Sequence, residues 1–122
     1  MQYLLLIHDD ERNWPSLSEQ EQVDVIQEYG AFTAALRVSG GYVGSNRLAP
    51  TTAAATVRIR DGEQVVTDGP FAETKEQLGG FFLVEAASFE EACAWAAKVP
   101  AARHGSVEVR PVVPVPAEVA AG

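Results

Sequence analysis

The spacing of apolar positions changes several times along the chain, and each change marks an element. The run "QYLLLIH" (Gln2 to His8) is continuously apolar and short, which predicts a buried strand. "DDERNWPSLS" breaks that pattern, and Pro15 predicts a loop. Ser18 and Glu21 then form an S-x-x-E capping box at a helix start. Val25, Tyr29, Phe32 and Leu36 follow at helical spacing and give one apolar stripe, until Gly40 and Gly41 stop the helix. "YVGSNRLAP" predicts a weak strand ending at Pro50. In "ATVRIRDGEQVVT" the Asp-Gly pair predicts a hairpin with a two-residue turn, placing Arg60 opposite Glu63 and Val57 opposite Val66. "GGFFLVEA" (Gly79 to Ala86) predicts another apolar strand. Ser88 and Glu91 predict a second capping box. Ala92, Trp95, Ala96 and Val99 form the stripe of a second helix that ends at Pro100, and "GSVEVRPV" alternates as a last strand.

The order is strand, capped helix, strand, hairpin, strand, capped helix, strand. This predicts an α+β fold: a ferredoxin-like βαββαβ arrangement with an extra hairpin strand, its antiparallel sheet carrying two helices on one face. Phe81 and Leu83 alternate with Phe82 and Val84, so both faces of that strand are apolar. The face without helices needs a cover, and a second copy of the chain is the simplest one. A homodimer with sheets packed face to face is therefore expected.

Length and charge narrow the function classes. A chain of 122 residues is one domain. The formal charge is −8 and the nine basic residues form no run, so neither a nucleic-acid surface nor an acidic membrane surface is an expected partner. The single cysteine, Cys93, excludes an internal disulfide, and no thiol cluster could hold a metal. The opening "MQYLLLIHDD" lacks the pattern of a signal peptide, and no stretch approaches a membrane span, so the expected location is the cytoplasm. "PVVPVPAEVAAG", with three prolines and no pattern, is expected to be extended or mobile; the domain is placed at residues 1–113 and a flexible tail at 114–122. There is no Gly-rich phosphate loop, no dinucleotide fingerprint and no H-x-x-x-H spacing, and neither metal nor cofactor is expected.

The string "VTDGPFAETKEQLGGFFLVEA" resembles the signature of the YCII-related family, in its DGPF-domain branch. "YLLLIHDDE", "GGYVGSNRLAP", "ATVRIRDG" and "AAKVPAARHGSVEVRPV" resemble the same branch, over residues 1 to 113. The resemblance implies a ferredoxin-like subunit in a dimeric α+β barrel. It implies little about activity, since most members have none assigned, although relatives include small-molecule enzymes. It also implies an active-site pair, a histidine on the first strand and an aspartate after the hairpin, and a link to sigma factors of the extracytoplasmic-function type.

Carried onto this chain, the pair is His8 and Asp68. An imidazole is the natural acid-base group near neutral pH, and Asp68 could fix its tautomer if the two strands are neighbours. The plain alternative is a strand-end histidine and a turn aspartate bonding its own backbone. Pro70, Phe71, Glu73 and Lys75 are the candidate substrate-binding residues: a rigid bend, an aromatic that plugs a pocket or joins the core, and charges that orient a ligand or simply face solvent. Arg47, Arg58 and Arg60 could hold a carboxylate. Trp14 could cover a site or a dimer seam, Cys93 reads as inert packing, and His104 as an exposed turn residue. Two functions follow. One is a small-molecule acid-base enzyme of lyase, isomerase or hydrolase type with His8 and Asp68 in a pocket beside "DGPFAETKE". The other is a non-catalytic dimeric module binding a small ligand or a protein in a sigma-factor-linked stress response.

Overall fold

Tyr3, Leu5 and Ile7 are buried, whereas Gln2, Leu4, Leu6 and His8 are only partly covered. That two-residue alternation makes one face of strand β1 (Gln2–Asp9) the wall of the core. The computed structural model describes residues 1–117. After β1 come a single helical turn α1 (Asn13–Ser16), the long helix α2 (Glu19–Val38), and strand β2 (Tyr42–Arg47). The hairpin β3 (Ala55–Arg60) and β4 (Glu63–Asp68) follows, then β5 (Gln77–Glu85), α3 (Phe89–Ala96), a 3-10 turn at Pro100–Arg103, and β6 (Ser106–Pro111).

The main sheet is antiparallel in the order β2-β5-β1-β6. The two strands preceding the capped helices, β1 and β5, lie at its centre, as the split βαβ pattern requires. Phe82 and Val84 of β5 join Tyr3, Leu5 and Ile7 on one face, and Phe32 and Leu36 of α2 with Ala92 and Ala96 of α3 cover them. Phe32 meets Phe82 edge-on at 4.9 Å between ring centres. The expected fold class is the observed one, with both helices on one face.

Local chemistry explains the boundaries. The Ser18 hydroxyl accepts from the Glu21 amide and the Glu21 carboxylate from the Ser18 amide, so both halves of the first box are made. In the second, Ser88 accepts from the Glu91 amide, but Glu91 reaches back one residue further, to the Ala87 amide. Asp61 and Gly62 both take positive φ (52° and 76°), and the hairpin pairs Arg60 with Glu63 and Val57 with Val66 as expected.

Two details differ from the sequence reading. The segment read as a loop through Pro15 closes one turn of helix, which proline tolerates because first-turn N–H groups have no helical partner. The hairpin is not an additional strand of the main sheet; it forms its own two-stranded sheet with every residue of β4 exposed. At the C-terminal end the Val112 amide bonds the Gln2 carbonyl, which holds residue 112 to β1. The tail expected over 114–122 includes residues 118–122, which lie outside the described residues.

Candidate functional site

One end of the sheet opens into a cleft of about 950 Å³ on the helix side. Its floor is Ile7, Gly79 and Gly80, with Phe82 beside them. Val25, Ile26 and Tyr29 of α2 form one wall, and Trp14 and Leu17 the lip. Arg47, Leu48 and Pro50 close the β2 side, and Ala101, Arg103 and His104 the β6 side.

The first polar group on the floor is Asp9, at the end of β1. Its Oδ1 accepts from the Asp10 amide (2.8 Å) and from Asn13 Nδ2 (3.0 Å). Its Oδ2 lies 2.9 Å from His104 Nε2. A carboxylate only accepts, so His104 donates through Nε2, and Nδ1 is the nitrogen left to take up a proton. The pair exists because the backbone at Gly105 packs against β1. A Cβ there would stand 2.4 Å from the His8 carbonyl oxygen and 3.2 Å from Asp9 Cα, so only glycine lets the turn approach so closely.

The lip is stitched down by neighbouring groups. Glu11 donates its amide to Gln77 Oε1, while its carboxylate accepts from the Thr51 amide (2.9 Å) and hydroxyl (2.5 Å). Those Thr51 bonds hold the Glu11 carboxyl below the ordinary glutamate range. Asp10 is held down to about 2 by hydrogen bonds from Arg12. Gln22 on α2 bonds the Trp14 carbonyl, and the Trp14 ring carries the Arg47 guanidinium 4.5 Å from its centre. Burial pushes the Tyr29 phenol up, only partly offset by a hydrogen bond from the Ala101 backbone, so Tyr29 presents a neutral hydroxyl to the cleft.

The residues singled out from sequence occupy other places. His8 is on the opposite face of β1 from Ile7, away from the cleft floor. Its Nε2 is 3.4 Å from Glu108 Oε1 and makes no hydrogen bond among the described residues. Arg110 bonds the other oxygen of Glu108 and, as the larger cause, lowers the Glu108 pKa. Asp68 is exposed at the end of β4, paired with Ala55. The strands beside β1 are β5 and β6, not β4, so the adjacency that would bring Asp68 to His8 is absent within the chain. Pro70 and Glu73 line a separate hollow of about 270 Å³ with Thr51 and Gln77. Phe71 is 84% exposed and joins no core, and Lys75 is exposed. His104, read as an exposed turn residue, is exposed and is also the histidine that meets an aspartate. The signal that could have found it was Gly105, a small residue directly after an imidazole at the start of a strand. Among the described residues no group of three His, Cys, Asp or Glu side chains is arranged to hold a metal.

Residues 1–116, cleft included, match the family model of the YCII-related domain. The chain belongs to the YCII-related family. An uncharacterised protein of Rhizobium meliloti (strain 1021) is 43% identical to this YCII-related protein over 114 residues, covering 92% of each. Among solved structures, a 5-chloro-2-hydroxyhydroquinone dehydrochlorinase from Burkholderia phenoliruptrix AC1100, in complex with 2,5-dihydroxybenzoquinone, superposes with a TM-score of 0.55. Its sequence identity is 15%, and the match covers 93% of this chain and 94% of that one, which shows a common fold. No helix among the described residues is long and apolar enough to cross a membrane.

Proposed function

We propose that this YCII-related protein is a small-molecule acid-base enzyme, of lyase, isomerase or hydrolase type, acting in the cleft at the end of β1. The observation that carries the reading is the 2.9 Å contact between His104 Nε2 and Asp9 Oδ2 at the edge of an apolar cleft. Asp9 orients the ring and offsets the charge of the imidazolium, His104 Nδ1 moves the proton, and the Tyr29 hydroxyl donates to a developing negative charge. The role first given to His8 and Asp68 passes to His104 and Asp9, because the latter two share a cleft. That the dehydrochlorinase with the same fold is an enzyme supports the class of reaction by analogy.

The "DGPFAETKE" string supports a place in the DGPF-domain branch. A face-to-face homodimer remains part of the proposal, because Leu4, Leu6, Phe81 and Leu83 are only partly covered. A second reading, a non-catalytic module that binds a ligand or protein in a sigma-factor-linked response, draws on the exposed Val57, Ile59 and Phe71.

The test is deuterium uptake from heavy water into enolisable single-ring compounds, phenylpyruvate among them, with wild type and His104→Asn. Wild type is expected to exceed buffer and the variant to fall back toward it. Equal rates in both proteins, or none above buffer in wild type, overturn the reading.

A further inference from the structure

The cleft has an asymmetry of charge that its fold does not require. Of the acidic groups around it, Asp9 is bonded to His104 and Asn13, Asp10 to Arg12, and Glu11 to Thr51. Of its two arginines, Arg103 is paired with Glu28. Arg47 has no carboxylate partner among the described residues, and its guanidinium lies over the Trp14 ring. Stacking on one face leaves the N–H edges of the planar fork available, and those edges match a carboxylate bidentately. The anchoring of Trp14 to Gln22 on α2 sets where that fork stands.

The register supplies the distance. Arg47 pairs with Gly80, and Gly80 with Ile7, two positions before Asp9. Arg47 and the Asp9 strand are therefore two strand spacings apart, about 10 Å at backbone level. The strand between them contributes Gly79 and Gly80 to the floor, and neither has a side chain to fill the gap. A Cβ at Gly80 would stand 2.8 Å from the Asn46 carbonyl oxygen, so the absence of a side chain there is enforced by packing. The open span is wide enough for a planar ring, with Phe82 and Tyr29 among the residues that line the cleft.

We propose that the substrate is a small, single-ring carboxylic acid, its carboxylate held by Arg47 and its reacting end turned toward His104. Arg47 is then the specificity residue of the same site, and the proposal rests on reading the cleft as that site. The protein's net charge of −8 does not oppose it at close range, since charges beyond about 8–10 Å are screened at physiological salt.

The test is calorimetric titration with benzoate and with its neutral isostere benzamide, on wild type, Arg47→Gln, Arg47→Lys and His104→Asn. Wild type is expected to bind benzoate about tenfold tighter than benzamide, the difference a charge-assisted pair supplies. Arg47→Gln is expected to lose that preference, Arg47→Lys to keep part of it, and His104→Asn to keep all of it. Quenching of indole fluorescence by benzoate, absent in Trp14→Phe, places the ligand in the cleft. Equal binding of acid and amide, a preference that survives in Arg47→Gln, or no binding of either probe overturns the proposal. If benzoate binds through Arg47 while His104→Asn exchanges protons at the wild-type rate, the acid-base reading falls and the substrate class stands.

Discussion

His104 and Asp9 are 95 positions apart in sequence, yet the imidazole Nε2 rests 2.9 Å from the carboxylate Oδ2. The contact joins the end of β1 to the turn before β6, and Gly105 permits it. Replacing Gly105 with alanine would drive a methyl group into the His8 carbonyl at 2.4 Å. Backbone cannot yield as a flexible side chain does, so Gly105→Ala is expected to cost about 1–3 kcal/mol. Urea denaturation would show a lower midpoint, and an unchanged midpoint would mean the turn is not held as described.

The two histidines should separate functionally. His8 faces away from the cleft beside Glu108, whereas His104 borders it. His8→Asn is expected to leave proton exchange within about a factor of two, and His104→Asn to reduce it by about 100-fold or more, the usual weight of a positioned acid-base group. Exchange kinetics on the two variants decide this. The reverse ranking would return the chemistry to the first-strand histidine.

The lip of the cleft should depend on acid pH through Glu11. Its folded-state pKa is depressed by the Thr51 hydrogen bonds. A depressed carboxyl contributes stability that is fully present above its unfolded value and is lost as pH falls through the folded value. The Thr51 amide resonance is therefore expected to shift with a midpoint below the ordinary glutamate range, and Glu11→Gln to abolish that step. A Thr51 resonance that titrates identically in Glu11→Gln would assign the step to another group.

Burial, not hydrophobicity, should decide the cost of aromatic and aliphatic truncations. Phe71 is 84% exposed, so Phe71→Ala is expected to change stability by no more than about 0.5 kcal/mol. Leu36 is fully buried against the sheet, and Leu36→Ala is expected to cost about 2–5 kcal/mol. Thermal melts of the pair check the contrast. A large loss in Phe71→Ala would reveal a contact beyond the single chain, such as a second copy seated on the loop.

The capping box offers a smaller, separable effect. Ser18→Ala removes the acceptor for the Glu21 amide at the start of α2 and is expected to cost about 1 kcal/mol. Ser18→Gly should cost only a few tenths of that unit. Equal losses in both would mean the hydroxyl is not what holds the helix start.

Whatever was written locally in the chain was legible. Tyr29, Phe32 and Leu36 recur at the period of a helix, the run from Gln2 to His8 is short and continuously apolar as a buried strand is, and Asp61-Gly62 marks a turn that needs two positive φ values. Those signals depend on neighbours a few residues away, so element order, the helix-covered face and the ferredoxin-like class could be read without coordinates. The site could not. A dyad depends on which strands lie side by side, and β1 pairs with β5 and β6 while the β3–β4 hairpin stands alone. The His8–Asp68 pair came from the family resemblance and required neighbouring strands; a strand directs successive side chains to opposite faces, and His8 points away from the cleft. Asp9 and His104 carry no mark of their own at either end of the chain. Only the closing of β6 onto β1, with Gly105 clearing the way, brings their side chains within hydrogen-bonding distance.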